Sequence, residues 1–170
     1  MTTPSPSLNP HPQLAASFDT TGDRPLAILA DIHANLPALE AVLADIDRNG
    51  FADGLILGDL VGYGPHPREV LQRLRERDFA ILLGNHDYVA ATGDFSGCHN
   101  IHALRALCWT AERLTDAERA WLAALPLALA GDGWLAVHGG PADARRFHEY
   151  VLSITAGEHL DALEADGIHL

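Results

Sequence analysis

Basic residues are scarce in this chain. Eleven Lys and Arg stand against 23 Asp and Glu, and the formal net charge is -12. A protein that neutralises many phosphates needs Lys and Arg in excess, so the balance speaks against general nucleic-acid binding. A small phosphate substrate stays open if something local supplies positive charge, and a metal ion would do so. Cysteine is scarce as well. Cys98 and Cys108 form no CxxC pair, which excludes a disulfide framework and a structural zinc site. They read as two buried thiols in a reducing cytosol. No apolar run reaches the roughly 18–20 residues of a membrane span. The N-terminus has no basic start and no apolar h-region, so it does not read as a secretory signal. These absences together predict a cytoplasmic protein that does not enter a membrane.

What is present is ordinary for a globular protein: 170 residues, 48% hydrophobic and 20% charged. That length fits about one domain with a core of its own. Residues 1–23, rich in Pro, Ser and Thr, read as a flexible tail, and residues 24–170 as the domain.

Strand and helix signals alternate along that domain. Residues 25–30, 54–58 and 79–83 are short apolar runs of the kind buried strands show. Between the first two lies a helix with Asn35 as cap, Pro37 in its first turn, a stripe of Leu36, Leu39, Leu43 and Ile46, and Gly50 as its stop. Pro67 opens the next helix, with Val70, Leu71 and Leu74 on one face. Residues 100–124 read as two helices, the second with a Thr115–Glu118 capping box. Residues 127–130 and 134–137 flank Gly-Asp-Gly, a hairpin signal. A last helix is expected behind Thr155 and Glu158, again as a capping box. The alternation predicts an α/β layered fold with a mostly parallel sheet, in which ligands bind beyond the carboxyl ends of the strands.

The residues that follow the strands all carry chemistry. The first strand runs into Asp31-Ile32-His33, the second into Gly58-Asp59, the third into Gly84-Asn85-His86-Asp87 and the last into His138-Gly139. Each motif alone has a plain structural reading, since Asp caps helices and Gly, Asn and Asp favour turns. Jointly, four strands deliver oxygen or imidazole groups to one sheet edge. Carboxylates mixed with imidazoles suit Mn, Fe, Zn or Ni rather than Ca. A carboxylate shared between two ions is a natural bridge, and Asp59 is the candidate. Two ions about 3.5–4 Å apart clamp the attacking and leaving oxygens of a phosphoryl displacement.

These residues resemble the calcineurin-like metallophosphoesterase superfamily, whose pattern is Asp-x-His, Gly-Asp, Gly-Asn-His-Asp/Glu, a His, and Gly-His-x-His. The loop Gly62-Tyr63-Gly64-Pro65 looks like that of a small bacterial branch of predicted phosphodiesterases. The resemblance implies a four-layer α/β/β/α sandwich and two divalent metal ions. It would place Asp31 and His33 on one ion, Asn85 and His138 on the other, and Asp59 between them. A hydroxide on the ions would attack the phosphorus. His86 would serve as general acid or transition-state stabiliser, and Asp87 could orient its imidazole. Tyr63, His99, His102 and Arg145 are candidates for substrate contact, each with a plain surface or packing reading beside it. The implied function is a metal-dependent phosphoesterase acting on a small phosphate ester, with phosphodiesters favoured over monoesters.

Two departures from the pattern carry consequences. Protein phosphatases of the superfamily carry Gly-Asp-x-Val-Asp-Arg-Gly, and here Gly62 and Tyr63 replace the Asp and the Arg, so no guanidinium there grips a phosphate bidentately. There is also no Gly-His-x-His. The chain is therefore expected to represent the N-terminal two-thirds of a family member, with an incomplete second sheet. Its exposed sheet edge would be a route to homo-oligomers or to aggregation. The same departure leaves a non-catalytic scaffold on this fold, or an inactive fragment, as alternatives.

Overall fold

The computed structural model describes residues 25–131, 134–140, 151–153 and 155–165. Strand β1 (Leu26–Leu29) leads through α1 (Leu36–Asn49) to β2 (Asp53–Ile56), then through α2 (Pro67–Arg75) to β3 (Ala80–Ile81). Three helices follow, α3 (Asn85–Thr92), α4 (Ile101–Arg113) and α5 (Asp116–Ala123). The strands β4 (Ala128–Gly131) and β5 (Trp134–Val137) come next, and then α6 (Ala156–Ala165). β1, β2 and β3 pair in parallel in that order, while β4 and β5 pair antiparallel in a second sheet. The expected α/β class, the parallel sheet and the hairpin partners are all present.

The local chemistry behaves as read. Asn35 Oδ1 accepts from the Ala38 amide at 3.2 Å, and Gly50 ends α1 in the left-handed conformation at φ 73°. Thr115 and Glu118 exchange their capping bonds at the start of α5. Leu39, Leu43 and Ile46 of α1 pack with Val70, Leu71 and Leu74 of α2 against Ala27, Ile56 and Ile81 of the parallel sheet. On the other face, Leu55, Leu82 and Leu129 are buried with Trp134 and Ala136 of the second sheet. Helices, sheet and second sheet thus form successive layers. Ile28 of β1 stays 62% exposed.

Four expectations need correction. The third strand is a two-residue ladder rather than residues 79–83, because Leu83 gives its amide to the Pro126 carbonyl instead of to β2. Helix α3 is additional. Its inward residues are His86 and Asp87 as well as Ala90, so it shows no apolar stripe to read. The Thr155 hydroxyl turns back to the Leu152 amide and carbonyl, at 3.1 and 3.2 Å, instead of boxing with Glu158. Cys98 is half-buried and Cys108 exposed, because α4 turns Ala103, Leu107 and Ala111 inward and leaves Cys108 outside. The expected turn at 132–133 and the tail at 1–23 lie outside the described residues.

Leu43 is fully buried between α1, α2 and the sheet. Leu43→Ala is expected to lower the unfolding free energy by about 2–5 kcal/mol in denaturant titration.

Candidate metal centre

Beyond the carboxyl ends of β1 and β2 the chain keeps pairing after the strands have ended. Asp31, His33 and Ala34 give their amides to the carbonyls of Gly58, Asp59 and Leu60, at 3.2, 2.9 and 2.8 Å. The two motif loops therefore run side by side, and their side chains meet. Asp31, His33, Ala34, Asp59 and Tyr63 all have positive φ, between 48° and 56°. Asp tolerates this region, but Ala and Tyr do not favour it. Such conformations persist only where surrounding structure imposes them, and they cluster at functional sites.

Glycines let the loops approach this closely. Gly58 has φ 89°, and a Cβ there would lie 2.6 Å from the Gly84 amide nitrogen and 2.9 Å from His138 Nδ1. A Cβ on Gly62 would collide with His86 Nδ1, and one on Gly84 with the amide and carboxylate of Asp59.

Asp59 sits at the centre, 3% exposed. Its Oδ1 accepts from the His86 amide at 2.9 Å and faces His138 Nε2 at 3.5 Å. Its Oδ2 faces His33 Nε2 at 3.7 Å. Each of these histidines hydrogen-bonds a backbone carbonyl through Nδ1, His138 to Leu57 at 2.6 Å and His33 to Val61 at 3.2 Å. That bond puts the proton on Nδ1 and leaves Nε2 with a lone pair aimed inward. His138 Nε2 also meets Asn85 Oδ1 at 3.0 Å, and His33 Nε2 meets Asp31 Oδ1 at 3.6 Å. Donors sharing one divalent ion, each about 2.1 Å from it, lie roughly 3–4 Å apart, which is the spacing found here. Carboxylate, amide and imidazole donors converging at this spacing suit a bound cation.

The five residues expected as metal ligands are therefore brought together. His86 joins them. Its ring lies 4.8 Å from that of His33, and donor atoms of His33, Asp59 and His86 all lie within 4.8 Å of one another. His86 Nδ1 is buried without a hydrogen-bond partner among the described residues.

Asp87 does not orient that imidazole. Its Oδ1 accepts from the Leu60 and Val61 amides at 2.9 and 3.1 Å, and its Oδ2 from the Gly84 amide at 3.0 Å. Asp87 is fully buried, and it ties the loop after β2 to the first turn of α3. Tyr63 stands at the site, its ring 4.9 Å from that of His33 and 4.7 Å from that of His86. His99 and His102 are exposed where α4 begins, and no described bond or ring contact joins them to the other site residues. Arg145 lies outside the described residues.

Sequence reasoning missed the glycine contacts, the clamp made by Asp87, and His159. The His159 ring packs where a Cβ on Gly140 would lie 2.6 Å from its Cε1, just behind His138-Gly139. No spacing rule points to a histidine some twenty residues away on another element.

Burial raises the Asp59 carboxyl to about 6, against the attraction of His138. Burial, reinforced by repulsion from Asp59, raises Asp87 to about 7. Burial lowers the His86 imidazole to about 4, with repulsion from His33 and His138 adding to it. Without a cation, the centre resists its own charge.

Residues 24–166 match calcineurin-like phosphoesterase, and the chain belongs to that family. An uncharacterized protein of Methanocaldococcus jannaschii is 36% identical over 102 residues, which span 60% of this chain and 42% of that protein. The symmetrical bis(5'-nucleosyl)-tetraphosphatase of Paracidovorax citrulli is 35% identical over 124 residues, 68% of this chain and 44% of that protein. The crystal structure of a metallophosphoesterase from Sphaerobacter thermophilus superposes with a TM-score of 0.67 at 35% identity, covering 81% of this chain and 55% of that one. The chain thus spans about half the length of the relatives it matches. Among the described residues, no helix is long and apolar enough to cross a membrane.

Two outcomes are expected from this geometry. The Asp59 carboxyl is raised in the fold, so its charge destabilises the metal-free chain above about pH 6, and that penalty fades as pH falls toward the ordinary value of 3.8. Asp59→Asn should therefore raise the melting temperature of the metal-free chain at pH 8, by on the order of 1–3 kcal/mol of stability, and abolish stabilisation by added manganese. Gly62→Ala should lower thermal stability, because its Cβ meets His86 and its φ of 87° suits only glycine. Gly93→Ala, at φ 73° with open space around it, should cost only about 1 kcal/mol in a melting curve and leave manganese affinity unchanged.

Proposed function

We propose that this chain carries the metal centre of a phosphoesterase that hydrolyses phosphodiesters, with two divalent ions of the Mn, Fe, Zn or Ni class. Asp31 and His33 would hold one ion, Asn85 and His138 the other, and Asp59 would be shared between them. The observation that carries the reading is the division of the Asp59 carboxylate, one oxygen turned to His33 and the other to His138. Ions bound there supply Lewis acidity to phosphoryl oxygens and lower the pKa of coordinated water. The chain's own residues do the rest. His33 and His138 keep their lone pairs inward through their carbonyl bonds. Asp87 holds the two loops in register. His86, on the first turn of α3, contacts the ester as general acid or as stabiliser of the charge that develops on it.

The preference for diesters rests on the loop Gly58-Asp59-Leu60-Val61-Gly62-Tyr63-Gly64, which offers no Arg to pair bidentately with a dianionic monoester. The reading places the protein in the cytoplasm, where its free thiols stay reduced. It gives it a small phosphate-ester substrate rather than nucleic acid in general, and self-association through an exposed sheet edge.

A second reading makes His86 a metal ligand, since its donor atom falls within the His33–Asp59 group. Hydrolysis of bis-p-nitrophenyl phosphate with added manganese, run beside elemental analysis, separates the two. For His86→Ala we expect turnover to fall by about 10²–10⁴ with manganese content unchanged. An undiminished rate would remove His86 from the chemistry, and loss of manganese would make it a ligand. A wild-type chain that neither binds manganese nor hydrolyses the ester would refute the proposed function.

A further inference from the structure

The exposed aromatic ring beside the two histidines is a site feature to which the proposed chemistry gives no task. Tyr63 is 51% exposed. Its ring meets the imidazoles of His33 and His86, at 4.9 and 4.7 Å, and it is not one of the side chains that form the apolar core. Burial of apolar surface therefore does not account for a large side chain here.

Nor does backbone preference. Tyr63 sits at φ 56°, a region that bulky L-residues avoid. The loop imposes this conformation from both sides. Gly62, at φ 87°, passes against His86 so closely that a Cβ would collide with it. The Gly64 amide donates to the His33 carbonyl at 3.0 Å, and a Cβ on Gly64 would clash with that same oxygen. Glycine would occupy position 63 without strain. A tyrosine held there at a conformational cost, in solvent and against polar rings, is a fixed π surface at the rim of the site.

We infer that Tyr63 is the specificity-determining residue of this centre, an aromatic wall that receives the flat aromatic substituent of a phosphate ester whose phosphoryl group lies at His33 and His86. The inference rests on the phosphoesterase reading and deepens it. A phosphoryl group at the two imidazoles has its organic arm within reach of a ring whose centroid lies 4.9 and 4.7 Å from theirs. Flat rings stack on tyrosine in offset or tilted geometry, and a methyl group in the same place gains far less. The site therefore discriminates by the shape of the ester's organic group.

The test is binding, not turnover. Methyl(phenyl)phosphinate and dimethylphosphinate share the single negative charge of a phosphodiester, are not hydrolysed, and differ in carrying a phenyl or a methyl group at one position. Their affinities for the manganese-loaded full chain are measured by calorimetry, with manganese affinity measured separately. The wild type should prefer methyl(phenyl)phosphinate by roughly three- to tenfold, the size of one aromatic contact. Tyr63→Phe should keep that preference. Tyr63→Gly, which suits the backbone, should bring the two affinities within about twofold of each other and leave manganese affinity unchanged.

Equal affinities in the wild type would overturn the inference, as would a preference that survives in Tyr63→Gly or one that Tyr63→Phe also loses. Absence of manganese binding in the wild type would overturn the phosphoesterase reading itself, and the separate metal measurement tells the two failures apart.

Discussion

A carboxylate 3% exposed is expensive to keep charged, and the rest of the site is arranged around that cost. Asp59 accepts from the amide of His86. Its remaining capacity faces two imidazoles whose protons are committed elsewhere. Hydrogen bonds among the described residues do not satisfy it, and burial accordingly lifts its carboxyl to about 6. A bound metal cation would supply the missing charge. The same convergence that makes the metal-free centre unfavourable makes it a good receptor, and this is the trade-off expected of a functional site.

The backbone shows how that centre is held open. Left-handed residues and glycines recur through both motif loops, from Asp31 to Ala34 and from Gly58 to Gly64. Cross-loop amide bonds fix the loops to each other, and the buried Asp87 fixes them to α3. Each loop is strained alone and stable only against its neighbour. The apolar layers on the two faces of the parallel sheet supply the stability that this strain consumes.

Much of this is legible in the order of residues alone. The α1 stripe, the caps at Asn35 and Thr115, the first two parallel strands and the ligand motifs all follow from local patterns. Apolar spacing, cap chemistry and strand-end position act within a few residues of the chain. Helix α3 is not legible in that way, because Gly84-Asn85-His86-Asp87 reads as a turn and its buried face is polar. Neither is the short β3, since residues 79–83 look like a full strand until Pro126 takes the Leu83 amide.

By itself, the sequence determined which residue types reach the sheet edge, and in what order, because strand ends and apolar runs are local properties. It determined the α/β class for the same reason. Only the tertiary structure decided that Asp59 divides its oxygens between His33 and His138, that Asp87 clamps loops rather than orienting His86, and that Tyr63 stands over both imidazoles. Those relations join residues on loops far apart along the chain. They depend on conformations that each loop adopts only when packed against the other.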